Sequence, residues 1–313
     1  MSLLNFDQLY KNADEQRPKI PIAVVAAADR TVLEAVSIAA ERGWIAPILV
    51  GREAAIREEA IRCQIDISRF SVVDTDEPAI DAVALVREQR ARLLMKGQID
   101  TPSLLRALLD PQTGLRTQRT ICQVVLMEIV DQRRSFLLAD TGITIQPSLD
   151  QKADIIASAA DVAHALGSGW PRVAILSASE KVTAALPDTQ EAAELTGRNA
   201  AGEIPGCEIQ GPLSFDLAYA ADAAEKKRVG GSVCGAAEIM IFPNLLAANL
   251  TVKAIMYTAQ CRFGGVLCGA KCPVVFMSRA DTTATRLNSL VLALSVWEAQ
   301  VRQPFQADTG AGK

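Results

Sequence analysis

The chain has 313 residues, 50% hydrophobic and 22% charged, enough apolar side chain for a large core and too much of it for global disorder. The formal charge is −4 and aromatics make up 4%, which argues against a general nucleic-acid binder with its basic surface and stacking platforms. An anionic ligand must therefore be held by local Arg, Lys and backbone N–H groups, not by the overall field.

At ~150 residues per domain the length corresponds to about two domains. The first unit, "KIPIAVVAAADRTVLEAVSIAAERG", reads as a strand at 20–27, a polar break at Asp29-Arg30-Thr31, and a helix closed by Gly43. "APILVG" (46–51) is the next strand, with a helix from Glu53; "SVVD" (71–74) is a third, with a helix over 77–90. A strand at 91–95 leads through Lys96-Gly97 to Thr101-Pro102, where a threonine cap and a proline at the first helical position start a helix. "VVLMEI" and "SFLLAD" are adjacent strands, with a hairpin as one arrangement. "DTGITIQPSLDQK" (140–152) is a candidate hinge, after which the pattern restarts.

A helix at 150–166 passes through Gly167-Ser168-Gly169 to a strand at 172–177, followed by helices around Asp188–Thr196 and from Phe215-Asp216. Next come a strand at 238–243, a helix at 246–261, the strands "GGVLCG" and "PVVFMS", and a helix at 285–302. The aperiodic tail "QPFQADTGAGK" is expected to be mobile. Near-continuous apolar strands alternating with helices predict an α/β fold whose mainly parallel sheet is covered on both faces.

Several familiar chemistries are absent. Seven irregularly spaced cysteines (Cys63, Cys122, Cys207, Cys234, Cys261, Cys268 and Cys272) and no signal peptide predict reduced thiols in a cytoplasmic protein. "CGAKC" (Cys268 to Cys272) lacks a second Cys/His pair to complete a four-ligand site, so no metal is expected. His164, the single histidine, falls in a helical pattern and reads as a surface or packing residue. No apolar run reaches the ~18–20 residues of a membrane span without a charge or a breaker. No G-x-G-x-x-G opens a helix after a strand, no Walker A sequence occurs, and "GSG" at 167–169 precedes a strand instead. A G-x-S-x-G elbow for serine hydrolysis is missing too.

What remains is a set of strand-end loops bearing cations and hydroxyls: Asp29-Arg30-Thr31, Lys96-Gly97 with Thr101, Ser177-Ala178-Ser179 and Ser278-Arg279. Each precedes a helix N-terminus, where free N–H groups and the dipole favour an anion, and a guanidinium adds a bidentate grip on phosphate. For Arg30 or Ser179 alone, a helix cap with a solvated charge is the simpler reading. Ser278-Arg279 stands out because the strand before it, "PVVFM", is so apolar.

Taken in order, "VVAAADRTVLEAVSIAAERGWIAPILVG", "LLMKGQIDTPSLLRALLDPQTGLR", "LADTGITIQPSLDQKADII", "VAILSASEKV", "GPLSFDLA", "FPNLLAANLTVKAIMY" and "PVVFMSRAD" resemble the phosphate acetyl/butyryltransferase family. The likeness runs from about residue 20 to 300 and is closer to the butyryltransferase branch through "LMKG", "GLR" and "GPLSFD". It implies two α/β/α domains with mainly parallel sheets and an interdomain cleft, of the isocitrate/isopropylmalate dehydrogenase kind. The expected division is 1–142 with 283–313, against 143–282 carrying a homodimer interface. The implied reaction is reversible acyl transfer between coenzyme A and phosphate, by direct attack and without metal. Coenzyme A, acyl-CoA, phosphate and acyl phosphate are its substrates, with no permanently bound cofactor, nucleic acid or membrane.

By the same resemblance Arg279 holds the phosphoryl group and Ser278 donates a hydrogen bond beside it. Arg106 falls at a second phosphate-contacting arginine, and Lys96, Thr101, Asn249 and Lys253 lie in matching motifs as substrate-binding positions. Lys253 has the competing reading of a lysine on a solvated helix face. Two departures stand out. Acetyltransferase members carry a carboxylate about six residues beyond the Ser-Arg arginine, where this chain has Ala284 and Thr285; Asp281 is the nearby carboxylate. Relatives have Ser-His or Ser-Ser where this chain has Cys122-Gln123, leaving Cys122 either a weak donor or a packing residue. The alternatives are a non-catalytic CoA or acyl-CoA binding protein that has lost the base, and a dehydrogenase on a similar fold, which would need an aspartate cluster that is not apparent.

Overall fold

The computed structural model describes residues 3–16 and 18–302; the aperiodic tail, 303–313, lies outside them. In chain order the elements are α1 (Phe6–Glu15), β1 (Ile20–Val25), α2 (Arg30–Glu41), β2 (Ile45–Gly51), α3 (Glu53–Arg62), β3 (Ser71–Asp74), α4 (Pro78–Arg87), β4 (Leu93–Lys96) and α5 (Thr101–Leu108). Then follow β5 (Cys122–Ile129), β6 (Arg134–Ala139), α6 (Leu149–Ala165), β7 (Arg172–Leu176), α7 (Pro187–Ala200), β8 (Glu208–Leu213), α8 (Phe215–Tyr219) and α9 (Ala221–Lys227). The last are β9 (Ile239–Ile241), α10 (Leu245–Thr258), β10 (Cys261–Cys268), β11 (Val274–Val275) and α11 (Thr283–Arg302).

All the strands join one sheet in the order β3-β2-β1-β4-β11-β10-β5-β6-β9-β7-β8. β3, β2, β1, β4 and β11 are mutually parallel. β10 and β5 run antiparallel to their neighbours, and β5–β6 is the hairpin. β6, β9, β7 and β8 are again parallel to one another, in the direction opposite to the first block. The mainly parallel α/β sheet is as expected.

The helices start where local chemistry caps them. Asp29, Ser148 and Asn244 accept from backbone N–H groups of α2, α6 and α10. At α5 the expectation needs correction: Asp100 is the cap, accepting from Ser103 N at 2.9 Å, and Thr101 is the first helical residue. The carboxylate outcompetes the hydroxyl one position later for the exposed N–H groups. The helix expected over 246–261 stops at Thr258, because Cys261 to Cys268 pairs along its whole length with β5. α1 was not foreseen; an Asn5/Gln8 capping box marks its start.

The core explains where a cleft can open. On one face α1, α2, α6 and α11 cover a single apolar cluster that runs unbroken from β2 to β8. The other face carries two separate clusters, one under α4 and α5 around Leu94, Leu104 and Phe276, the other under α8 to α10 around Met127, Phe136 and Met240. Between them the sheet surface is β10 and β5, at Gly265 and Gln123; a Cβ on Gly265 would lie 2.8 Å from the Gln123 amide and 3.1 Å from Phe276 O. Glycine is what lets the Gln123 side chain lie across the sheet here.

The loop after β6, expected to be a hinge, is tied to one side chain. Asp140, buried, accepts from the backbone N–H groups of Gln123 (3.0 Å), Gly142 (3.0 Å), Ile143 (3.2 Å) and Thr144 (2.7 Å). Removing the carboxylate strands several donors at once, each worth about 1–3 kcal/mol when left unsatisfied. Asp140→Ala is expected to lower the unfolding free energy by on the order of 3 kcal/mol, read from a urea denaturation midpoint.

Candidate active site

Because β1, β4 and β11 are parallel neighbours, their carboxyl ends deliver three connections to one edge of the sheet: residues 26–29 with the first turn of α2, 97–100 and 276–282. That is where ligands sit in open α/β sheets. Gly97 is required by close approach, since a Cβ there would meet Val25 O at 2.3 Å and Ala26 O at 2.5 Å. Ser177 and Ser179, expected among the anion-holding loops, follow β7, which runs the other way. Ser177 instead bonds Asp188 at 2.5 Å.

Lys96, the last residue of β4, is 3% exposed and shares its sheet face with Leu94 of the cluster under α4 and α5. Its ammonium lies 5.9 Å from the Phe276 ring centroid and is in no ion pair among the described residues. Burial above all, with the charges of Arg286 and Arg279, lowers its pKa to about 8; Asp100 and Asp281 oppose the shift weakly. A desolvated lysine among cations is an electrostatic vacancy for an anion.

Arg279 is exposed in the turn after β11 and takes part in no ion pair among the described residues. The turn is built by Asp281, whose carboxylate accepts from Ser278 N at 2.7 Å, and by Ser278 Oγ, which accepts from Ala280 N at 3.3 Å. Burial raises the Asp281 pKa, while its bond to Ser278 N and the charges of Arg286, Lys96 and Lys253 pull the other way. Thr285 is buried, its hydroxyl 3.0 Å from that of Thr282, so that position holds a capping pair and no base.

The sequence reading missed Arg286. It sits in the first turns of α11, 1% exposed, with Nε donating to Thr31 Oγ1 at 2.9 Å and the two terminal nitrogens 3.5 Å from Lys96 O and Ser278 O. The pattern "TTATRLNSLVLAL" disguises it, because a lone arginine on an amphipathic helix reads as a solvated face.

The phosphate acetyl/butaryl transferase family model matches residues 75–294. The chain belongs to this family. It is 40% identical over 291 residues to the phosphate acetyltransferase of Rhizobium meliloti, covering 92% of each chain. It is 38% identical over 295 residues to the phosphate butyryltransferase of Clostridium beijerinckii, covering 93% of this chain and 97% of the relative. A branched-chain phosphotransacylase from Enterococcus faecalis V583 superposes with a TM-score of 0.79 at 27% identity, over 89% of this chain and 99% of that one.

As a phosphate acyltransferase the chain is an enzyme, and the remaining expected residues can be placed around its sheet edge. α10 follows β9 and runs back along the sheet; its 14 residues span about 21 Å, which carries Lys253 to the region of the Asp281 carboxylate. Asn249 stands one turn earlier on α10, partly buried. Thr101 opens α5 and Arg106 is exposed in its last turn. Cys122 does not join them. It is fully buried in the continuous cluster on the opposite face, and its side chain faces the core, so burial drives its thiol pKa far up. Gln123, the next residue, points to the cleft face and bonds Phe276 O at 3.4 Å. His164 spans two backbone carbonyls, Ser168 O at 2.7 Å and Gly206 O at 2.9 Å. Among the described residues no group of His, Cys, Asp or Glu is arranged to hold a metal, and no helix is long and apolar enough to cross a membrane.

The depressed pKa of Lys96 has a kinetic consequence. Below about 8 the side chain is charged; above it the charge is lost, and with it any hold on an anionic ligand. Phosphate KM is expected to rise several-fold as pH increases through that value. In Lys96→Arg, which stays protonated, the rise should vanish in steady-state kinetics on either side of pH 8.

Proposed function

We propose that this enzyme transfers a short acyl group reversibly between coenzyme A and phosphate at the edge formed by β1, β4 and β11, with Arg279 and Lys96 holding the phosphoryl group. The observation carrying it is the pair of unneutralised cations, Lys96 buried and Arg279 exposed, on parallel strand ends beside the gap between the two apolar clusters. In the direction of acyl-CoA formation, the thiolate attacks the acyl phosphate carbonyl. A C–S bond forms, the carbonyl-carbon-to-phosphate-oxygen bond breaks, and phosphate leaves. Arg279 presents a planar fork to the phosphoryl oxygens, and the Ser278 hydroxyl donates to the carbonyl oxygen as charge develops there. Asp281 accepts the thiol proton; its raised pKa makes it a stronger base than an ordinary aspartate. Coenzyme A is a substrate, and no group stays bound between turnovers.

Arg106 on α5 and Asn249 with Lys253 on α10 line the two sides of the cleft, and Thr101 its entrance. We also propose the division of 1–142 with 283–313 from 143–282, the layout of isocitrate-type dehydrogenases; the two apolar clusters flank the gap but each draws on both parts, the first through Leu267, Val274 and Phe276 and the second through Met127, Phe136 and Leu138. β10 and β5 form its floor, where Gly265 and Gln123 lie between the clusters. Free thiols at all seven cysteines fit a reducing cytoplasm.

The test is consumption of CoA thiol with acetyl phosphate and with butyryl phosphate. Arg279→Ala is expected to lose on the order of 10²–10³-fold in kcat, and Asp281→Asn about 10²–10⁴-fold. Wild-type thiol loss that persists unchanged in Arg279→Ala would remove the phosphoryl-binding role. CoA binding without any thiol loss would favour a binding protein.

A homodimer is proposed through α10, where Leu246 (69% exposed), Leu250 (61%) and Tyr257 (84%) form one unpartnered stripe. Lys253 lies in the same stripe, so a second copy would also wall one side of the cleft. Leu250→Glu is expected to halve the sedimenting mass in analytical ultracentrifugation.

A further inference from the structure

We infer that Arg286 is a positioning residue for phosphate: from beneath the site its guanidinium ties three strand ends together and supplies buried positive charge that no ion pair among the described residues neutralises. The inference rests on the reaction proposed above and adds a residue to it. Arg286 lies on the face of the sheet opposite the cleft, in α11, yet its three polar contacts go to three different strand ends. Nε donates to Thr31 after β1, and the terminal nitrogens face Lys96 O at the end of β4 and Ser278 O after β11. Thr31 passes the link on, donating to Asp29 Oδ1 at 2.7 Å, and Asp29 Oδ2 accepts from Gln98 Nε2 at 2.9 Å in the loop after β4. One guanidinium thus fixes the carbonyls that flank Lys96 and Arg279, the two phosphoryl-holding side chains.

A role in folding alone does not account for the charge. Burying a charge without an ion-pair partner costs several kcal/mol of desolvation, so arginine is a costly choice for a position that serves folding alone. No carboxylate pairs with Arg286 among the described residues; Asp29 and Asp281 act on it only at longer range, while burial works against its proton. The unmet charge stands directly behind Lys96, where an oxyanion held by Lys96 and Arg279 completes the balance. Arg286 touches no reacting atom.

The experiment uses the full-length chain and inorganic phosphate. Arg286→Met and Arg286→Lys are compared with wild type and with Arg279→Ala for phosphate KM, kcat and the rise in Tm that saturating phosphate produces. Arg286→Met should raise phosphate KM about ten-fold or more and lose the phosphate-dependent Tm rise, whatever the direction in which its unliganded Tm moves. Arg286→Lys should recover part of the binding, since it restores charge without the fork. If Arg286→Met fails to fold, Thr31→Val, which removes only the acceptor of Arg286 Nε, should still raise phosphate KM. Wild-type phosphate KM and Tm rise in Arg286→Met, or in both Arg286→Lys and Thr31→Val should Arg286→Met not fold, would overturn the inference. The proposed reaction fails separately, if wild-type enzyme consumes no thiol or Arg279→Ala behaves as wild type.

Discussion

Like charges at the end of a single strand set the terms for everything around them. Lys96, Arg279 and Arg286 crowd the carboxyl end of β4, two of them buried. Desolvating a charge costs several kcal/mol, and placing cations together adds to it. The surrounding ladder bears this cost. β4 lies between β1 and β11, and Leu93, Leu94 and Met95 are fully buried against them, each contributing about 1.5–3 kcal/mol of apolar burial. A few such side chains offset one strained cation, so the site can stay empty and positive without unfolding its own strand.

The asymmetry of the two sheet faces follows from the same demand. On the face under α11 and α6 the core is continuous, which makes a rigid back. On the other face the cover is interrupted, and the side chains facing the interruption are Lys96, Phe276 and Gln123 in place of a third apolar cluster. α10 closes one side only because it returns along the sheet from β9. Its register, set by the Asn244 cap, decides that Lys253 and not a leucine arrives near Asp281.

Much of this was legible in the residues. Aliphatic runs such as "AVV" and "LLM" and the polar breaks after them gave the strand order its parallel character and identified three of the loops that meet at the site. Ser278-Arg279 was conspicuous because an arginine rarely ends so apolar a strand. What stayed hidden depended on long-range geometry. The cap of α5 turned on which of two adjacent oxygens reached Ser103 N. Cys122 looked like a cleft residue by position, but alternation along β5 turns it to the core and its neighbour Gln123 to the cleft. Arg286 carries no local signature, since its partners lie in loops up to 255 residues away in sequence. The antiparallel insertion of β10 and β5 was equally invisible, because an apolar strand does not announce its direction.

β11 is the shortest strand in the sheet, two residues long, and it registers with each neighbour over only two residue pairs. It is also the strand through which the first parallel block meets β10 and the rest of the sheet. A long ladder would resist shear; this one is a narrow seam, backed by α11. Slippage or twisting along it would carry Arg279 relative to Lys96 while leaving both blocks intact. The narrowest pairing in the sheet therefore passes directly under the turn that presents the arginine, so the spacing of those two cations rests on two residue pairs to each side and on the packing of α11 behind them.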